Sequence, residues 1–129
     1  MPSPSDRKYS TNHVWARAEE SGAVRVGFTR VPCSFLQDVV YAELPPPGTA
    51  VAAGEPVGLV EASSAVCEIA APVSGVVAEA NPLAEASPET ITADPFERGW
   101  LLLIRPSDPG EMESLLRSEE YDRLHPGEE

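Results

Sequence analysis

A chain of 129 residues with 42% hydrophobic content is the size of one domain with a buriable core. Its formal net charge of −12 argues against a nucleic-acid or anionic-membrane partner, both of which need a basic patch; it either favours protein partners with basic surfaces or serves only to keep the chain in solution. No apolar run reaches the ~20 residues of a bilayer span, and the first ten residues lack the apolar stretch of a signal peptide, so a cytoplasmic protein is expected.

Residues 1–8 read as a flexible polar segment, which holds Lys8, the only lysine of the chain. Residues 9–106 are short apolar runs broken by Gly, Pro, Asn and Ser, the pattern of an all-β domain of many short strands. Strands are predicted at 13–18, 23–28, 38–42, 55–62, 65–70, 75–80 and 100–105. Their edges fall at turn formers such as Ser21-Gly22, Pro47-Gly48, Ala53-Gly54 and Ser74-Gly75. Pro32 with Phe35-Leu36 predicts one short helical turn within 31–37. Pro45-Pro46-Pro47 lacks three backbone N–H groups and forms a stiff loop rather than an interior strand.

A weak echo, Gly48-x-x-Val51-x-x-Gly54 and Pro72-x-x-Gly75, flanks a central hairpin with Ser63-Ser64 at its tip. A tip is where a carrier presents cargo, and equally where Ser and Ala sit because of solvent alone. Residues 107–125 change to helical character. Asp108-Pro109-Gly110-Glu111 has the form of a capping box, followed by Met112, Leu115 and Leu116 at i, i+3, i+4. A second short helix begins at Ser118 with Tyr121 and Leu124 as its inner face, and 126–129 is expected to be a disordered tail.

No catalytic motif is visible, so no enzyme is expected. His13 and His125 lack metal-ligand spacing, and no metal is expected; Trp15 is expected to pack with His13 at its edge. Cys33 and Cys67 are too few for a disulfide framework and read as reduced, structural thiols.

The order of features resembles the glycine cleavage system H protein family. The resemblance rests on His13-x-Trp15, Val26-Gly27-Phe28-Thr29, Asp38-Val39-Val40-Tyr41-Ala42-Glu43-Leu44-Pro45, Gly58-Leu59-Val60-Glu61, Ala71-Pro72-Val73-Ser74-Gly75, Asn81-x-Leu83, Asp94-Pro95-Phe96-x-x-Gly99-Trp100-Leu101 and Leu115-Leu116-Arg117-Ser118-Glu119-Glu120-Tyr121. It implies a mostly β, lipoyl/biotinyl-type flattened barrel (a barrel-sandwich hybrid) over 9–106, with short helices mainly at the C-terminus. In such proteins the hairpin reads Glu-Ser-x-Lys-Ala and the lysine amine is acylated by lipoic acid. The arm takes aminomethyl groups from a pyridoxal-phosphate glycine decarboxylase, passes the carbon unit to a tetrahydrofolate enzyme and is reoxidised by a flavin dehydrogenase.

Here the hairpin reads Glu61-Ala62-Ser63-Ser64-Ala65, and counting back from Ala65 places Ser64 at the lysine position. A serine hydroxyl on one methylene is barely ionised at neutral pH and gives a short ester rather than a stable amide. Lys8 lies outside the hairpin. Val14, Arg30-Val31-Pro32-Cys33 and Gln37 also depart from the family's pattern.

The expectation is an H-like protein that cannot be lipoylated at the usual position, carries no lipoate or other cofactor, and serves as a non-catalytic binding or regulatory module. Its partners would be glycine cleavage or lipoate-handling enzymes, met through a hairpin of Glu61, Ala62, Ser63, Ser64, Ala65, Cys67 and Glu68. Glu61 and Glu68 are expected close together as an acidic face. One alternative is a covalent carrier using Cys67 or a hairpin serine, although the neighbouring carboxylates oppose a reactive thiol. The other is a decaying paralogue without a partner.

Overall fold

The computed structural model describes residues 3–125. Nine strands form two antiparallel sheets. β1 (Lys8–Tyr9), β2 (Val14–Ala18), β3 (Val24–Phe28), β9 (Leu102–Pro106), β8 (Gly75–Ala80) and β5 (Ala50–Val51) lie side by side in that order in the larger sheet. β4 (Val39–Glu43), β6 (Pro56–Ala62) and β7 (Val66–Ala70) make the smaller one. The helices are short: α1 (Arg30–Phe35), α2 (Pro82–Ala86), α3 (Thr90–Ala93) and α4 (Ser118–Leu124), with a 3-10 helix at Pro109–Ser114.

The period-2 alternation of the strands builds the core. Val26, Val77 and Ile104 of the larger sheet share one buried cluster with Val60, Ala62 and Ile69 of the smaller. Val14 and Ala16 join it, whereas Trp15 points the other way into a second cluster with Tyr9, Phe96 and Tyr121. Trp15 faces Gly27 across the β2–β3 ladder, and a Cβ on Gly27 would stand 2.5 Å from the Trp15 ring, so only glycine fits.

The predicted strands are all present, and the echo is realised as β5 pairing with β8 through Ala50 and Val76. Three expectations change. Residues 3–8, read as flexible, make defined contacts: Ser3 donates to Asp122 at 2.6 Å, and buried Arg7 donates to the Phe96 carbonyl at 2.8 Å with its guanidinium 4.6 Å over Trp15. The Glu111 carboxylate closes no capping box; it accepts from the Ser74 N–H at 2.8 Å, and the segment winds as a 3-10 helix. Tyr121 is buried, but Leu124 at the end of α4 is 60% exposed. Trp15 packs as expected, and His13 additionally lies with Nδ1 2.8 Å from the Tyr121 hydroxyl and with its ring 4.8 Å from that of His125. The tail 126–129 lies outside the described residues.

Candidate functional site

The hairpin of β6 and β7 pairs Leu59 with Glu68, Val60 with Cys67 and Glu61 with Val66. The Ala62 N–H then donates to the Ala65 carbonyl at 2.8 Å, leaving Ser63 and Ser64 as the two-residue tip. Ala62 is buried, Ala65 is half-buried, and both serines are exposed. The Ser63 N–H and hydroxyl both approach the Gln37 carbonyl at 3.4 Å, so the tip leans on the loop between α1 and β4. The Ser64 hydroxyl has no hydrogen-bond partner among the described residues.

The tip therefore offers hydroxyls and no amine. Lys8 sits in β1 at the edge of the other sheet, paired with Ala16. No side chain from Glu61 to Glu68 carries an amine.

Cys67 does not point outward with the tip. It shares the inner face with Val60, packs against the core half-buried, and its thiol donates to the Glu68 carbonyl at 3.5 Å. Burial raises its pKa and the Glu68 carboxylate adds to the rise. Burial also pushes Cys33 up to about 12, with Cys67 contributing. Both thiols are free and protonated at neutral pH, which is the opposite of an activated nucleophile.

Glu61 and Glu68 share the outer face of the smaller sheet but lie diagonally, because Val66 is opposite Glu61 and Leu59 is opposite Glu68. β4 extends both rows: Tyr41 faces Glu61 and Glu43 faces Leu59. The register shifts between Val39 and Tyr41, and this bulge leaves two successive residues, Val40 and Tyr41, exposed at 60% and 48%. The face thus carries Tyr41, Glu61 and Val66 in one row and Glu43, Leu59 and Glu68 in the next. The sequence reading missed Val40, Tyr41, Glu43, Leu59 and Val66. Simple alternation along β6 and β7 marks Leu59 and Val66 as outward residues, whereas the bulge in β4 has no such signal.

Among the described residues no three His, Cys, Asp or Glu side chains gather where they could hold a metal, and no helix is long and apolar enough to cross a membrane.

The chain matches the family described as glycine cleavage H-protein over residues 7–126. A glycine cleavage system H protein of Anaeromyxobacter sp. (strain K) is 48% identical over 122 residues, covering 94% of each chain. One from Bacillus subtilis (strain 168) is 39% identical over 124 residues, covering 96% of this chain and 97% of the other. The crystal structure of a glycine cleavage system H protein from Mycobacterium marinum superposes with a TM-score of 0.85 at 38% identity, over 95% of this chain and 98% of that one. The two-sheet architecture is accordingly the lipoyl-type barrel-sandwich fold. These matches overturn the expectation that the protein has no cofactor, because the family they define is a lipoate-carrying one. The chain belongs to the glycine cleavage H-protein family.

Proposed function

We propose that this member of the family is a non-catalytic docking or regulatory module, which engages enzymes of the glycine cleavage or lipoate-handling system without a lipoyl amide at residue 64. The observation that carries this reading is the exposed Ser63-Ser64 tip on an otherwise family-like hairpin, with the only lysine of the chain in the other sheet. Lipoate stays the chemistry of the family. What the tip lacks is the nitrogen that an amide to it requires.

The reading makes two demands. Co-expression with a lipoate ligase in lipoate-supplemented medium leaves the intact mass unchanged, and purified glycine cleavage enzymes or the ligase bind the chain. A mass gain of one lipoyl group sinks the first demand. Failure of every enzyme to bind sinks the second and leaves a partnerless paralogue.

A further inference from the structure

Among the described residues, six large apolar side chains are exposed, and three of them, Val40, Tyr41 and Val66, lie on β4 or on the hairpin it pairs with. Tyr41 and Val66 flank Glu61 in one cross-strand row, at 48% and 57% exposure, and half-buried Leu59 lies in the adjacent row between Glu43 and Glu68. A tyrosine and branched aliphatics left in water on one face of a sheet are the composition of an interface centre rather than of a solvated face.

The charge around them is one-sided. Between Arg30 and Arg98 the chain has no lysine or arginine and ten carboxylates. Elsewhere carboxylates find guanidinium partners, as Asp6 does with Arg7, Glu19 with Arg17 and Arg25, and Glu119 with Arg117. Glu43, Glu61 and Glu68 have no ion pair among the described residues. The smaller sheet itself contains no cation at all.

We infer that the outer face of the smaller sheet is a docking surface for a protein whose contact patch has an apolar centre rimmed by lysine or arginine. The inference rests on the reading above and names the partner's chemistry. Tyr41, Leu59 and Val66 supply the area to be covered. The three carboxylates set among them select the partner by charge and speed its approach. A second copy of this chain would bring three further carboxylates against these three, and an anionic bilayer would be repelled in the same way.

The test uses the full chain and two kinds of probe. Purified lipoate ligase and the purified glycine cleavage enzymes are added singly, and the footprint is read by amide hydrogen exchange. A capped peptide of sequence Lys-Leu-Tyr-Leu-Lys and its counterpart with Glu in place of Lys are followed by amide chemical shifts. Binding is expected to protect β4, β6 and β7, to weaken roughly tenfold between ~0.05 M and ~0.5 M salt, and to fall about tenfold in the Tyr41→Ser, Val66→Ser double variant. Both substituted residues are exposed, so the variant's amide spectrum is expected to keep the wild-type fold. An enzyme footprint elsewhere, or binding unmoved by salt and by the variant, overturns the docking face while the module reading stands. A basic peptide that maps to the face while no enzyme binds keeps the face and removes the module reading. Binding by neither probe, or equal binding of the acidic peptide, overturns the inference.

Discussion

The hydroxyl of Tyr121 lies 2.8 Å from Oγ1 of Thr29, a side chain wholly shielded from solvent. The same hydroxyl lies 2.8 Å from His13 Nδ1, and the Tyr121 ring stacks on Tyr9 with centroids 5.0 Å apart. One phenol thus ties α4 to the turns on either side of the β2–β3 hairpin. Tyr121→Phe keeps the stack but removes the contacts to the Thr29 hydroxyl and the His13 nitrogen. A loss of about 1–3 kcal/mol is expected, seen as a lower urea midpoint with an unchanged slope.

Restoring an amine to the tip is the converse test of the hairpin. Ser64 is exposed and makes no hydrogen bond among the described residues, so Ser64→Lys is expected to change stability by less than about 0.5 kcal/mol. On the family-like hairpin the new amine is expected to accept a lipoyl group from lipoate ligase, scored as a mass increase absent from the parent. A variant that folds and stays unmodified would show that more than residue 64 separates this hairpin from a ligase substrate.

The two thiols are expected to be slow. With both pKa values raised by burial, iodoacetamide at about pH 7.5 should alkylate each more slowly than free cysteine, and Cys33 more slowly than Cys67. Peptide mass spectrometry over a time course checks the order. Labelling of Cys67 at or above the free-cysteine rate would return it to consideration as a carrier residue.

Acid stability has one identifiable contributor in the N-terminal segment. The Arg7 guanidinium, with Nε 2.8 Å from Asp6 Oδ1, holds the Asp6 carboxyl below its ordinary value of 3.8, against a smaller opposing effect of burial. A carboxyl depressed in the fold stabilises fully above its unfolded value, and that contribution is lost as pH falls through the folded one. Asp6→Asn is therefore expected to be less stable than the parent at neutral pH and to converge on it as pH falls below the 3.8 of the free carboxyl. Denaturation midpoints across that window check the convergence.

Turn formers make most of the architecture legible in the sequence. The Ser74-Gly75 and Ala53-Gly54 breaks bound real strands, and Ser63-Ser64 is the real tip. β1 and β5 escaped because two-residue strands exist only through their pairing partners, Ala16 and Trp15 for one, Val76 and Gly75 for the other. α2 did carry a signal: Asn81 caps it by accepting from the Leu83 N–H, and Pro82 occupies its first turn. The capping box does not form because Glu111 has a distant competitor in Ser74, which no local pattern reveals. The outer face of the smaller sheet was hidden for a similar reason. Tyr41, Glu61 and Val66 become neighbours only through two ladders and a bulge.

The absence of lysine and arginine from residues 31–97 has a consequence for proteolysis. A protease that cuts after lysine or arginine finds no bond between Arg30 and Arg98, even in the unfolded chain. Trypsin therefore releases β4, the hairpin, both cysteines and the Ser63-Ser64 tip together as one fragment, so the whole candidate site stays on a single peptide.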